Sequence, residues 1–494
     1  MIARYQRLQG KEILLLVGID EHSINVARKA EELGLKPKEY CDQMADIYQS
    51  FFKDLNINYG RLIRTSDIDH HQVVSQLILR LAEKGYIYPG KYEGWYCSSC
   101  EAFYRERDLV DGHCPVHKFL EPEWIVEYNY YFRLSSFEEE IYKYITDNPQ
   151  WIKPVSRRNE ILKRLEEGLE DISISRSGTD WGIDVPSKIR GYINDQYGEL
   201  DLEDFNSEFE NQKVYVWFDA LLNYVTGAGY NKDSFSQTWP ADLELIGKDI
   251  IWFHAVIQSA VLLALDISLP KQIYAHGFLT LEGEKISSSQ GNVLYPKDII
   301  DEFGLDPLRY YLFRRISFGQ DGNFSRRDFI EVYNTSLANV LGNLVYRSFK
   351  MVEKYFGGVI PEPEQSRDVD QSLLDNLNTT IKEVENQLDD LELSQALLTV
   401  ENFLRKTNGY IDQTAPWKIE DRSRLATVIY HLLNAIYNGV ILLKPFIPES
   451  SDKILSKFGN DNIKSWPDDG ATYLKSGCEI NSGEPLFPRI ENNK

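Results

Sequence analysis

The segment Gly283 to Asn292, GEKISSSQGN, sets one lysine among small hydroxyl residues and closes on Gly291. A loop of this composition can bring a positive charge and several hydrogen-bond donors onto a polyphosphate, which is nucleotide chemistry. Lys285, Ser287, Ser288 and Ser289 are the groups that would act, although the same composition also suits a plain solvated loop. A second set is Cys97 and Cys100, followed after thirteen intervening residues by Cys114 and His117. Two such knuckles deliver four ligands to a closed tetrahedral zinc site with no open position, so the role is structural. His113 could substitute for His117, but the knuckle spacing favours the latter, while Cys41 and Cys478 read as ordinary thiols. The third set is Trp217, Phe218 and Asp219, with Tyr224 at the end of the same segment, YVWFDALLNY. Aromatic rings beside an aspartate at a strand end suit an apolar side-chain pocket, and equally a plain core. The fourth set, Gly247, Lys248, Asp249, Ile250 and His254, lies across a strand-to-helix turn. There glycine lets a ligand approach the backbone, aspartate can accept from ribose hydroxyls, and the helix N-terminus favours anions.

The elements that must position these groups follow from hydrophobic patterning. EILLLV, Glu12 to Val17, is a short apolar run ending at Gly18, as expected for a parallel strand buried on both faces. Asp20, Glu21 and His22 follow at its carboxyl end. Ser23 can cap a helix carrying Ile24, Ala27 and Ala30 at helical spacing, which Gly34 and Pro37 stop. Further strand-like runs span 214 to 218, 243 to 246 and 272 to 279, the rhythm of a doubly wound α/β sheet whose ligands sit beyond the strand carboxyl ends. Between 88 and 212 a Tyr-, Cys- and Glu-rich stretch reads as an insertion. From about residue 330 the pattern is helical. One stripe runs through Leu337, Leu341, Leu344 and Val345, a second through Leu377, Ile381, Val384, Leu388 and Leu391, and a third through Leu425, Val428, Ile429, Leu432 and Ile436. These predict a helix bundle, with a proline-rich turn at Pro361 to Pro363 between two of its members. Arg314, Arg315, Arg326 and Arg327 cluster before it and suit either RNA phosphates or a solvated basic face.

A chain of 494 residues with 43% hydrophobic composition can bury several cores. A net charge of -22 argues against a general nucleic-acid coat protein. No run approaches the roughly 18 apolar residues of a membrane span, and no secretory signal opens the chain, so a soluble, cytoplasmic protein is expected. Five cysteines suit a reducing compartment.

Taken in order, VGIDEH, GWYCSSC, CPVH, SISRSGTDWG, YVWFDALLNY, IGKDIIWFH, HGFLTLEGEKISSSQGNV, LGNLVYR and IDQTAPW resemble the methionyl-tRNA synthetases over essentially the whole chain. The resemblance implies a class I synthetase fold, an α/β doubly wound parallel sheet with a zinc-bearing insertion and a C-terminal all-α anticodon-binding bundle. Residues 1–87 would form the first half of the catalytic domain, 88–212 the connective insertion, and 213–268 the second half. Residues 269–330 would carry the KMSKS-like loop and stem-contact region, and 331–494 the anticodon-binding domain. It implies ATP-dependent activation of L-methionine and transfer to tRNA(Met), with Mg2+ accompanying ATP, structural Zn2+, and neither membrane nor DNA as partner. Asp20 would bind the substrate ammonium with Arg176 nearby, while Trp217, Tyr224, Ile250 and His254 would enclose the thioether. Gly247 and Asp249 would hold the ribose of ATP, and Lys285 with Ser287, Ser288 and Ser289 the departing pyrophosphate. Asn343, Arg347 and Trp417 would read the anticodon. Two departures accompany the match: no H-x-G-H tetrad occurs, and Ser288 stands where the family loop has a second lysine. They raise the expectation of a sheet truncated at its N-terminus and, as the alternative reading, of a catalytically impaired, synthetase-like tRNA-binding protein.

Overall fold

The computed structural model describes the chain apart from residues 100, 101, 105, 116–119, 178, 198–208, 210, 286–292, 460–464, 468–472 and 492–494. It comprises two compact units, Leu14–Ala275 and Met1–Ile13 together with His276–Lys494.

In the Leu14–Ala275 unit, β1 (Leu16–Ile19) pairs in parallel with β2 (Arg61–Arg64), Leu16 opposite Arg61 and Ile19 opposite Arg64. The first strand therefore starts later than the apolar run 12–17 suggests, because pairing with the short β2 and not hydrophobicity sets its bounds. Ser23 caps the helix Ile24–Glu32 as expected, its side chain accepting from the Asn25 N–H. Helix Asn223–Gly227 packs against β1, where a Cβ at Gly227 would lie 2.5 Å from the Leu16 methyls; only glycine permits that approach.

The insertion is an antiparallel sheet ordered β4 (Ala102–Tyr104), β3 (Ile87–Cys97), β5 (Glu123–Phe132) and β7 (Ile172–Ser173). Its long ladder runs from Ile87 opposite Phe132 to Tyr96 opposite Glu123, and is rich in the aromatic residues that fit a pleated surface. Within the range 88–212, however, β6 (Ile152–Lys153) leaves that sheet and pairs in parallel with β11 (Ile273–His276) in the order β10 (Glu244–Gly247), β11, β6. Among the described residues of this unit the parallel strands thus fall into two separate sheets, β1–β2 and β10–β11–β6. The expected strand at 214–218 is also corrected. β9 is only Lys213–Val214, pairing with β8 (Ser175–Arg176), and Val216–Leu221 is helical. Trp217 and Asp219 therefore project from a helix.

In the other unit, helix Ile2–Leu8 buries Tyr5 edge-on against Trp466, ring centroids 5.0 Å apart. A small sheet of β13 (Glu284–Lys285), β12 (Leu279–Leu281) and β14 (Gly322–Phe324) follows. The π-helical run Tyr333–Gly342 and helices Asn343–Phe356, Asp368–Asp389, Leu393–Thr414, Arg422–Leu443 and Pro448–Ser456 come next. Every residue of the three stripes named above is buried, Leu391 from the left-handed turn after Asp368–Asp389 and not from a helix. Arg422–Leu443 meets the length and hydropathy of a membrane span, which amends the expectation from the sequence, yet 89% of its apolar window is buried inside the bundle.

One buried carboxylate ties three of these helices. Asp370 accepts from Nη1 and Nη2 of Arg424, from the Tyr410 hydroxyl at 2.5 Å and from the Arg367 backbone N–H at 2.7 Å. Although burial opposes ionisation, these donors hold its pKa below the usual carboxylate value.

Candidate functional site

At the carboxyl end of β1, Asp20 is exposed whereas Glu21 and His22 are buried. Glu21 accepts from Arg64 Nε at 2.6 Å and from the Ser66 hydroxyl, and its backbone N–H donates to Thr65 Oγ1 at 2.9 Å. Trp181 closes over this turn, its indole N–H donating to the Glu21 carbonyl at 2.5 Å and its ring edge-on to His22. The turn following β1 is thus fixed from three sides, which orients the residue before it.

Behind the turn lies a polar network in the core. Asp219 is fully buried and bonds His22 Nδ1 at 2.5 Å and His70 Nε2 at 2.6 Å; His70 Nδ1 in turn meets Thr226 Oγ1 at 3.0 Å. Burial pushes the Asp219 pKa up, but the hydrogen bonds from the two imidazoles outweigh it and the pKa lies below the ordinary value. Sequence reading singled out Asp219 for its aromatic neighbours and missed its partners. His22 is 197 positions away and His70 is 149, and no local pattern connects them.

The aromatic residues form a wall. Trp217 stacks on Phe253 with centroids 4.1 Å apart, and the Tyr224 hydroxyl donates to His254 Nε2 at 2.8 Å. His254 Nδ1 donates to the Ile250 carbonyl at 3.0 Å, which fixes its tautomer. Burial lowers the His254 pKa to about 4, so the ring is neutral, and raises that of Tyr224 far above the usual phenol value. Trp217, Tyr224, Ile250 and His254 are therefore linked in a neutral, largely apolar surface, with Phe253 as a member the sequence reading omitted.

Gly247 ends β10 and Asp249 follows, exposed. The Asp249 carboxylate folds back so far that a Cβ at Gly247 would meet its Oδ1 at 2.5 Å. The φ of Gly247, -69°, is ordinary, so what glycine supplies here is room for the Asp249 carboxylate to lie against the backbone. Arg176 is buried at the end of β8, its guanidinium over the rings of Tyr96 at 4.0 Å and Tyr215 at 5.2 Å, with Glu127 Oε2 3.7 Å from Nη1.

Of the proposed zinc ligands, Cys97 ends β3 and Cys114 follows the 110–113 bridge, and both are buried. Cys100 and His117 lie outside the described residues, and among the described residues no cluster of metal ligands forms. His113 instead turns its Nδ1 to the Asp111 carbonyl at 2.8 Å.

In the second unit, Lys285 ends β13 with its backbone opposite Thr280, while Ser287, Ser288 and Ser289 lie outside the described residues. Asn343 and Arg347 are exposed one turn apart on helix Asn343–Phe356, and Trp417 is 52% exposed in the short turn Pro416–Lys418. The basic cluster is largely internally paired. Arg314 bonds Glu401, Arg315 bonds Asp328, and Arg326 bonds both oxygens of Glu302. That pairing counts against a phosphate-binding face.

Comparison with known proteins gives a consistent match. The family "tRNA synthetases class I (M)" matches residues 1–123 and 120–349, and "Anticodon binding domain of methionyl tRNA ligase" matches 360–494. A methionine–tRNA ligase of Caldanaerobacter subterraneus is 40% identical over all of this chain and 75% of its own length. One from Clostridium tetani is 41% identical over 99% and 74%. Among solved structures, Mycobacterium tuberculosis methionyl-tRNA synthetase in complex with methionyl-adenylate superposes with a TM-score of 0.90 at 36% identity, covering 99% of this chain and 94% of that one.

Proposed function

Since this chain belongs to the methionyl-tRNA synthetases, class I ligases that join methionine to tRNA with ATP, we propose which of its residues do each part of that work. Trp217, Tyr224, Ile250 and His254 enclose the methionine side chain, because a polarizable thioether gains from sulfur-to-ring contacts and a neutral wall leaves no charge to desolvate. Asp20, exposed at the end of β1, holds the substrate ammonium, and Arg176 supplies positive charge to the same region. Gly247 and Asp249 take the ribose of ATP. Lys285 and Ser287 to Ser289 steady the charge that develops on pyrophosphate, and Mg2+ arrives with ATP as part of the substrate. Asn343, Arg347 and Trp417 read the anticodon, by edge hydrogen bonds and by stacking on an exposed ring. The cytoplasm, where ATP, tRNA and reduced thiols coexist, is a compartment that suits this chemistry.

The observation that carries the reading is the Tyr224–His254 hydrogen bond, which builds a neutral polar group into an aromatic wall. Tyr224→Phe leaves His254 Nε2 buried without a donor. Methionine affinity is expected to weaken about tenfold, since losing such a bond costs roughly 1–2 kcal/mol. Equilibrium dialysis with labelled methionine measures it, and unchanged affinity would remove Tyr224 from the site.

Structural zinc would be held by Cys97, Cys100, Cys114 and His117. The fit rests on two buried thiols, one at a strand end and one beside a tight bridge, where reduced cysteine would otherwise pack as a small apolar group. Bound there, the metal fastens the tip of the insertion and takes no part in the reaction. Elemental analysis of folded protein is expected to find about one zinc per chain, and a folded, metal-free chain would rule it out. The alternative of an impaired tRNA-binding protein draws no support from relatives that match the whole chain as ligases.

A further inference from the structure

Glu244 opens β10 and is buried beside helix Phe253–Ala264, whose first six residues, Phe253–Gln258, form a π-helical turn. Its Oε1 accepts from the Gln258 amide Nε2 at 3.1 Å, and its backbone N–H donates to the Gln272 carbonyl at 2.9 Å. Among the described residues two atoms of the pair then remain buried with no partner, Glu244 Oε2 and Gln258 Oε1.

An ionised carboxylate cannot satisfy either atom, because both are acceptors. One proton satisfies both. A protonated Oε2 becomes a donor, Gln258 Oε1 is the acceptor left over, and the two side chains then exchange hydrogen bonds reciprocally. The surroundings favour that form. Burial pushes the Glu244 pKa up to about 8, only partly offset by the Gln258 bond, and no lysine or arginine among the described residues counters its charge. Among the described residues Tyr224 faces it, its own ionisation opposed first by burial and then by the Glu244 charge, and His254, four residues before Gln258 on the same helix, is neutral.

The pair also has a place in the mechanics of the wall. A π-helical turn carries an extra residue per turn and tends to occur at functional sites. Here it is held at both ends: His254 bonds the Ile250 carbonyl, the Ser259 hydroxyl bonds the His254 carbonyl at 3.2 Å, and Gln258 bonds Glu244.

We propose that Glu244 is a positioning residue for methionine: as a neutral acid paired reciprocally with Gln258 it fixes the π-helical turn that presents His254, and on losing its proton it releases that turn. The proton passes to solvent base, leaving two acceptors face to face and a negative charge beside Tyr224. The functional half of this inference rests on the assignment of Tyr224 and His254 to the methionine pocket; the protonation half does not.

The test compares the complete chain with E244Q, in which a second amide can make both bonds without a proton to lose. Methionine dissociation constants are measured by equilibrium dialysis from about pH 6 to about pH 9. Titration of the substrate ammonium is common to both proteins and cancels in their ratio. The wild-type to E244Q ratio is expected to rise about tenfold by about pH 9, one unit above the Glu244 value. A ratio that stays constant overturns the positioning role. A readout that needs no variant is the carboxyl resonances of glutamate-labelled wild-type protein: one titrating near 8 is expected, and none above the ordinary range overturns the neutral acid. If neither protein binds methionine at about pH 7, the pocket assignment falls and takes the positioning role with it, while the carboxyl titration still decides the proton.

Discussion

Alanine at position 285 is expected to slow ATP–pyrophosphate exchange by roughly a hundredfold or more while leaving methionine affinity nearly unchanged. Removing one preorganised donor from developing anionic charge typically costs about 2.7–4 kcal/mol, or roughly 10²–10³ in rate. Lys285 is the lone cation of its serine-rich segment, so no neighbouring lysine there can substitute. The companion result separates the two ends of the chain. Trp417→Ala should weaken tRNA aminoacylation and spare exchange, because its ring is exposed in the helical domain and exchange needs no tRNA. Exchange at the wild-type rate in the first variant would refute the role of Lys285, and equal loss of both activities in the second would refute that of Trp417.

The largest stability effect is expected at Asp219. Asp219→Ala strands His22 Nδ1 and His70 Nε2 in a buried space, and each buried hydrogen-bonding group left without its partner costs about 1–3 kcal/mol. Against a total stability of roughly 5–15 kcal/mol this is a large share. Urea unfolding at neutral pH measures it, and a loss below about 1 kcal/mol would mean the network is not held as described. The sign of its pH dependence follows from the lowered pKa. The Asp219 contribution is complete above the ordinary carboxylate value of 3.8 and is lost as pH falls through the depressed native value. Since His22 follows Asp20 and Glu21 on the same turn, the variant should also disturb the turn following β1.

How much of this was legible in the sequence differs by element. The bundle stripes were readable because burial in helices imposes a local period, and each named leucine, valine and isoleucine is buried. Helix Leu393–Thr414 carries the same signal in Leu397, Val400, Leu404 and Ile411 but escaped notice beside its neighbours. The run YVWF misled for a physical reason. Its aromatic and β-branched residues have strand propensity, yet tertiary context bends the chain into a helix after Val214. The site groups at 20–22, 217–224 and 247–254 stood out by residue type. The partnerships that hold them did not, because Asp219 with His22 and His70, or Trp181 with Glu21, are contacts between distant positions. Glu244 and Gln258 are fourteen positions apart, and nothing in their types announces that they share one proton.

Tyr410 lies near the end of one bundle helix and Arg424 near the start of the next, and Asp370 grips both. Between them runs the connection that carries Trp417, entered through Ala415 in a left-handed conformation at φ 42° and stiffened by Pro416. The carboxylate therefore acts as a clasp at the base of a small ring of chain. A base stacking on the indole, as proposed for Trp417, would meet a surface already ordered, with the entropy of arranging it lost on folding instead of on recognition.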